Sequence, residues 1–149
     1  MITNYTDLKA VIVAKLTALQ IGGADAFVAV YNVNPTKPTG YPCAAVLENE
    51  GEGEVIDTGR NQRIMEFKIK LIQQMGEGTT PAQASVIRLK ITDAVMKMFD
   101  QDPQLVVDSV DSVIIAEVAP ITFEEIIKDR TIFESEFILQ CKVLTNSYA

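Results

Sequence analysis

The sequence predicts an α+β fold: an antiparallel sheet of about four to five strands with two amphipathic helices packed on one face. Three observations predict it. Apolar residues recur at helical spacing near the N-terminus and again after residue 80. Two other stretches alternate apolar and charged residues with a period of two. The element order reads helix, three strands, helix, two strands, which leaves two helices to cover one side of a sheet.

The first helix spans about Thr3 to Gln20. Tyr5, Leu8, Ile12, Leu16 and Leu19 form one apolar stripe, and Thr3 or Thr6 can cap its start. Gly22 and Gly23 are expected to end it, because glycine accepts the left-handed conformation that follows many helices. Ala26 to Val33 is rich in β-branched and aromatic residues and reads as a strand. Asn34 to Gly40 carries two prolines and a glycine and reads as a loop. Cys43 to Leu47 is uniformly apolar and reads as a central strand. Glu48 to Asp57 follows, with Glu48, Glu50, Glu52 and Glu54 repelling one another around two glycines. It reads as a flexible exposed loop reaching as far as Arg60 and Asn61.

Gln62 to Gln74 is the clearest strand, with Met65, Phe67, Ile69 and Leu71 alternating with Glu66, Lys68 and Lys70. Gly76 to Thr79 is a turn. Thr80 can cap the next helix, Pro81 suits its first position, and Gln83 completes a capping box. Loss of the Thr80 cap should cost about 1 kcal/mol. That helix runs to about Phe99, with Ala84, Ile87, Ile91, Ala94, Val95 and Met98 as its buried stripe and Asp102-Pro103 as its stop. Val110 to Ala119 reads as a strand and Pro120 to Asp129 as a connection. Thr131 to Leu144 closes the fold, with Phe133, Phe137, Leu139, Cys141 and Val143 on one face. There is no internal repeat or linker, so residues 1–149 read as one domain.

Composition narrows the chemistry. Thirteen basic residues face twenty acidic ones, a net charge of -7. That balance disfavours gripping nucleic acid through its phosphates, yet suits a wall past which DNA slides. There is no histidine, which removes the commonest general base near neutral pH and every His-dependent zinc site or catalytic dyad. Cys43 and Cys141 sit in apolar strands and read as small buried hydrophobes, with a disulfide as the alternative. The N-terminal region is punctuated by Asp7, Lys9 and Lys15, unlike a secretory signal, and no apolar run is long enough to span a bilayer. Synthesis and folding in the cytoplasm are expected.

Searching for a site turns up little. The acidic stretch from Glu48 reads as a solvated loop, with a calcium site as the alternative, although its spacing fits no calcium loop. Gly76 to Thr80 precedes a helix but lacks the lysine of a phosphate loop, and Glu77 would repel an anion. The basic residues are scattered without interleaved aromatics. No catalytic constellation stands out, and neither an enzyme nor a cofactor or metal is expected.

Taken together, the helix ending at Gln20, the Tyr41-Pro42-Cys43-Ala44-Ala45-Val46 strand after a loop, the charged-alternating Arg63 to Ile72 strand, the helix ending Met98-Phe99-Asp100 and the closing strand Phe133 to Leu144 resemble the tail terminator proteins of long-tailed bacteriophages. Minor tail proteins of Mu-like phages are included in that resemblance, which covers roughly Asp7 to Leu144. It implies a structural virion protein, assembled in the host cytoplasm. Such a subunit forms a hexameric ring at the head-proximal end of the tail tube, halts tube polymerisation and meets the head-tail connector. Its partners would be copies of itself, the tail tube protein and neck proteins, with DNA passing through the lumen and no membrane involved. Asn34, Lys37 and Tyr41 in one loop, and Glu50, Glu52, Glu54 and Arg60 in the other, are the candidate assembly contacts. Alternatives are another neck component, or a small host regulatory or ligand-binding domain.

Overall fold

Leu8, Ile12 and Leu16 stand four residues apart, so a helix stacks them on one side, and all three are fully buried. This is α1, Tyr5–Ala18, with Asp7 in its first turn and Lys15 in its last, as the helix dipole favours. The computed structural model describes residues 5–36, 38–49, 52–55, 60–74, 81–101, 113–127 and 131–146. The predicted cap Thr80, the turn at 76–79 and the stop at Asp102-Pro103 lie outside them.

Gly22 and Gly23 do not cap α1. They are the turn of a small hairpin between β1, Gln20–Ile21, and β2, Ala24–Asp25. Their φ values are 62° and 83°. A two-residue hairpin turn of this hand needs positive φ at both positions, which glycine supplies without a Cβ clash. The helix has already ended, and Leu19 N donates back to Leu16 O.

The main sheet has six strands: β3, Ala29–Tyr31; β4, Cys43–Glu48; β5, Glu52–Val55; β6, Arg60–Gln74; β7, Val113–Ile127; and β8, Thr131–Asn146. Their order is β3-β4-β6-β8-β7, and β5 pairs with β6 beyond the end of β4. Every pairing is antiparallel except β3 with β4. The strand expected at 26–33 shrinks to the three residues of β3.

β6 and β8 form the spine. Met65 faces Cys141, Phe67 faces Leu139, Ile69 faces Phe137 and Leu71 faces Ser135. All eight are buried, so the two period-two patterns present one apolar face. Helix α2, Pro81–Gln101, covers the β8 side of that face, with the Phe99 and Phe137 rings edge to face at 6.5 Å. α1 covers the β4 side, with the Tyr5 ring 5.6 Å from that of Phe67. Two helices on one face of a largely antiparallel sheet are thus the architecture.

Two expectations change. Glu52–Val55 is a strand, not part of a flexible loop. Pro120 does not end a strand, because β7 runs through it to Ile127. Among the described residues β7 is at the margin of the sheet, and Pro120 falls in the register shift between Val118 and Ile121, where a missing N–H breaks no ladder bond.

Candidate functional site

The predicted contact residues fall in different settings. Asn34 is exposed in the β3–β4 connection, while Lys37 and Glu50 lie outside the described residues. Glu52 and Glu54 are strand residues of β5, paired with Ile64 and Gln62, and Arg60 opens β6 opposite Asn146. The structure therefore replaces a loop with a backbone-paired arm at 52–55 and 60–64.

The β3–β4 connection is not a free loop either. The Tyr31 hydroxyl accepts from Thr39 N at 2.9 Å and pairs with Thr39 Oγ1 at 3.0 Å. Val28 N donates to Pro42 O at 2.8 Å, beside the cis Tyr41-Pro42 bond. A Cβ on Gly40 would stand 2.8 Å from Val28 Cγ1, so a larger residue there would push the exposed Val28 side chain aside. Tyr41 is half-buried, and burial, then nearby Cys43 and Tyr31, pushes its phenol up. Cys43 and Ala45 point away from the helices by register yet are fully buried beside this segment. Tyr41 is thus anchored to the sheet, not displayed at a loop tip.

The sheet face away from the helices is polar along β6 and β8. Glu66 accepts from Gln140 Nε2 at 2.9 Å and from Asn49 Nδ2 at 3.0 Å, and Lys68 lies 3.7 Å from Glu136. Lys70 is opposite Glu136, and Lys142 and Glu134 share the face with Ile64, Ile72 and Ile138. Along β6 and β8 the acidic side chains Glu66, Glu134 and Glu136 interleave with the basic Lys68, Lys70 and Lys142. At the end of β4, Lys9 of α1 binds Glu48 and holds its carboxyl below the usual range. The pair borders an open groove of about 540 Å³ along α1.

α2 departs most from expectation. Ile91 and Val95 are buried, as predicted, but Ile87 is 43% exposed. Val86 and Leu89 are 65% and 48% exposed. The reason is the roll of the helix. Arg88, Thr92, Val95 and Phe99 hold the sheet-facing line, with Thr92 only 3% exposed. Arg88 Nη2 donates to Glu134 O at 2.6 Å, and its Nε donates to Ser135 Oγ at 3.2 Å. Thr92 Oγ1 donates to Arg88 O at 2.8 Å. A reading by polarity turns Arg88 outward and Ile87 inward; the hydrogen-bond partners on β8 reverse that. The signal lay in Ser135, a polar residue between two phenylalanines on an otherwise apolar strand face. An open groove of about 490 Å³ runs beside Ala82, Gln83, Val86 and Ile87.

Among the described residues, no three His, Cys, Asp or Glu side chains converge to hold a metal ion, and no helix is long and apolar enough to cross a membrane. Both cysteines are free and buried, and burial pushes Cys43 up to about 11 and Cys141 up to about 12. No protein-family profile and no curated protein sequence matches the chain. Among solved structures, the fold is similar to a chain described as part of the virion of a native gene transfer agent particle. The TM-score is 0.62 at 17% identity, over 95% of this chain and 99% of that one.

Proposed function

We propose that this chain is a structural subunit of a phage-like virion, and that it acts as a tail terminator. It forms a ring, hexameric by the resemblance, on the head-proximal end of the tail tube. The ring stops tube growth, offers a surface to the neck proteins and lets DNA through its lumen. No reaction is involved. The observation that carries this reading is the end-to-end likeness of the fold to a chain of a gene transfer agent virion, 95% of one chain on 99% of the other. Among the described residues the fold runs helix, strands, helix, two strands, with six strands where the sequence reads three between the helices.

The surface supports an assembly role. Val86 and Leu89 stand one turn apart with Ile87 between them, which places three large apolar side chains in water on one end of α2. β6 and β8 pair over fifteen residues, about 50 Å of strand, and run past the helix-covered core beside β5. A contact between the α2 patch of one copy and the β5 arm of the next would be heterologous, the kind that generates a ring when its rotation closes.

A neck or head-tail joining role is the second reading, because the likeness is to a virion chain and not to a position within a virion. Electron microscopy of particles made without this gene separates the two. Overlong, headless tails are expected. Normal-length tails detached from filled heads would assign the joining role, and normal infectious particles would remove both.

A further inference from the structure

Between α2 and the sheet lies a small pocket, partly open to solvent, with about 10 Å³ of space; Phe27, Pro42, Leu71, Ile72 and Ile91 wall it, and three polar side chains reach it: Gln73, Arg88 and Ser135. Gln73 Oε1 is buried and has no hydrogen-bond partner among the described residues. A buried amide oxygen left unpaired is rare in folded proteins, and where one occurs an ordered water is a common partner. We propose that one water molecule occupies this cavity and joins β6, β8 and α2 through Gln73, Ser135 and Arg88.

Size and valence both point to water. One water needs roughly 10–15 Å³ of such space, which is what the pocket holds beside Gln73. A buried water typically makes about three hydrogen bonds. Ser135 Oγ already accepts from Arg88 Nε at 3.2 Å, which leaves its own hydrogen to donate. The water accepts that hydrogen and donates to Gln73 Oε1, and its remaining valence faces the Arg88 end of the cavity. Arg88 Nη2 meanwhile donates to Glu134 O at 2.6 Å. The water therefore completes a polar seat under one end of α2. That seat holds the helix at the roll that turns Arg88 and Thr92 to the sheet and leaves Val86, Ile87 and Leu89 outward.

A crystal structure resolving ordered solvent tests this directly. The expected result is one solvent peak within hydrogen-bond distance of both Gln73 Oε1 and Ser135 Oγ. An empty cavity, or a direct bond from the Gln73 amide to Ser135 or Arg88, overturns the proposal. In solution, NMR magnetisation transfer from long-lived water to the Leu71 and Ile91 methyl groups should be present in the native chain. It should be lost in Gln73→Leu, whose side chain offers the water no acceptor. Absence of that transfer from the native chain would overturn the proposal without reference to any variant.

Discussion

The two helices use their apolar residues differently. α1 buries Leu8, Ile12 and Leu16 completely, and its remaining large apolar residues pack against the same core. α2 is longer, yet among its described side chains burial begins at Ile91, and its first turns hold Val86, Ile87 and Leu89 partly in water. α1 turns all its large apolar residues to the core. α2 does two things: its second half closes the core on Phe137, and its first half carries apolar surface that the fold does not use. An apolar side chain on a helix therefore does not by itself mean a contribution to the core.

Substitutions can break or sharpen that contrast. The largest effect is expected at Phe67, fully buried under α1 and against Tyr5. Phe67→Asp places a carboxylate in the apolar layer and should abolish cooperative folding, read as loss of the thermal transition by circular dichroism. A cooperative transition in that variant would mean that the face of β6 is wrongly assigned. Next come two isoleucine truncations, one per helix. Ile12→Ala should cost about 2–5 kcal/mol, as for other fully buried isoleucines. Ile87→Ala should change stability by less than about 1 kcal/mol, because that side chain is 43% exposed and alanine is the better helix former. Urea titrations of the two variants measure the difference. Equal losses would mean that α2 is rolled toward the orientation read from sequence.

The two faces of the sheet give a third test through the thiols. Cys141 is buried among the core residues under the helices and Cys43 is buried on the opposite face, and burial raises both, to about 12 and about 11. In the unfolded chain a thiol ionises near its ordinary value of 9.0. Between that value and the folded one, the unfolded state has released the proton and the folded state has not. Stability should therefore be full below pH 9 and fall as pH rises from there toward 12. Replacing both cysteines with alanine should flatten that decline. An unchanged slope in the double variant would mean that neither thiol is held neutral by the fold.

Much of this was legible in the residues, and the failures have physical causes. The stripe of α1 and the alternation of β6 and β8 were readable because each pattern serves one buried face. The acidic stretch was misread because composition registers charge repulsion but not the pairing of Glu52–Val55 with 61–64, a tertiary gain that no local pattern announces. Pro120 looked like a strand end because proline cannot serve a central ladder, and sequence does not say which strand is at the margin. On α2, the polarity of Arg88 hid its inward position, since its partners Glu134 and Ser135 are 46 and 47 residues away. The candidate contacts fared according to their setting: Tyr41 proved anchored, Glu52, Glu54 and Arg60 entered strands, and Asn34 stayed exposed.

The smallest stability effect is expected from removing the acid. Glu50, Glu52 and Glu54 changed together to serine should leave the thermal midpoint nearly unchanged, with a stability difference of about 0.5 kcal/mol or less. Relief of like-charge repulsion favours the variant, and the weaker strand preference of a serine offsets part of that gain. What should move is assembly, so the same variant introduced into the particle-producing genome is scored by tail length and head attachment in micrographs. Retained stability with overlong tails would place the β5 arm at the contact that ends tube growth. Retained stability with normal particles would leave the first half of α2 as the stronger interface candidate, and Val86→Ser with Leu89→Ser would be the pair to score next. A large fall in the midpoint would instead mean that these carboxylates are held by partners within the folded sheet, and the exposed-acid reading of this segment would be wrong.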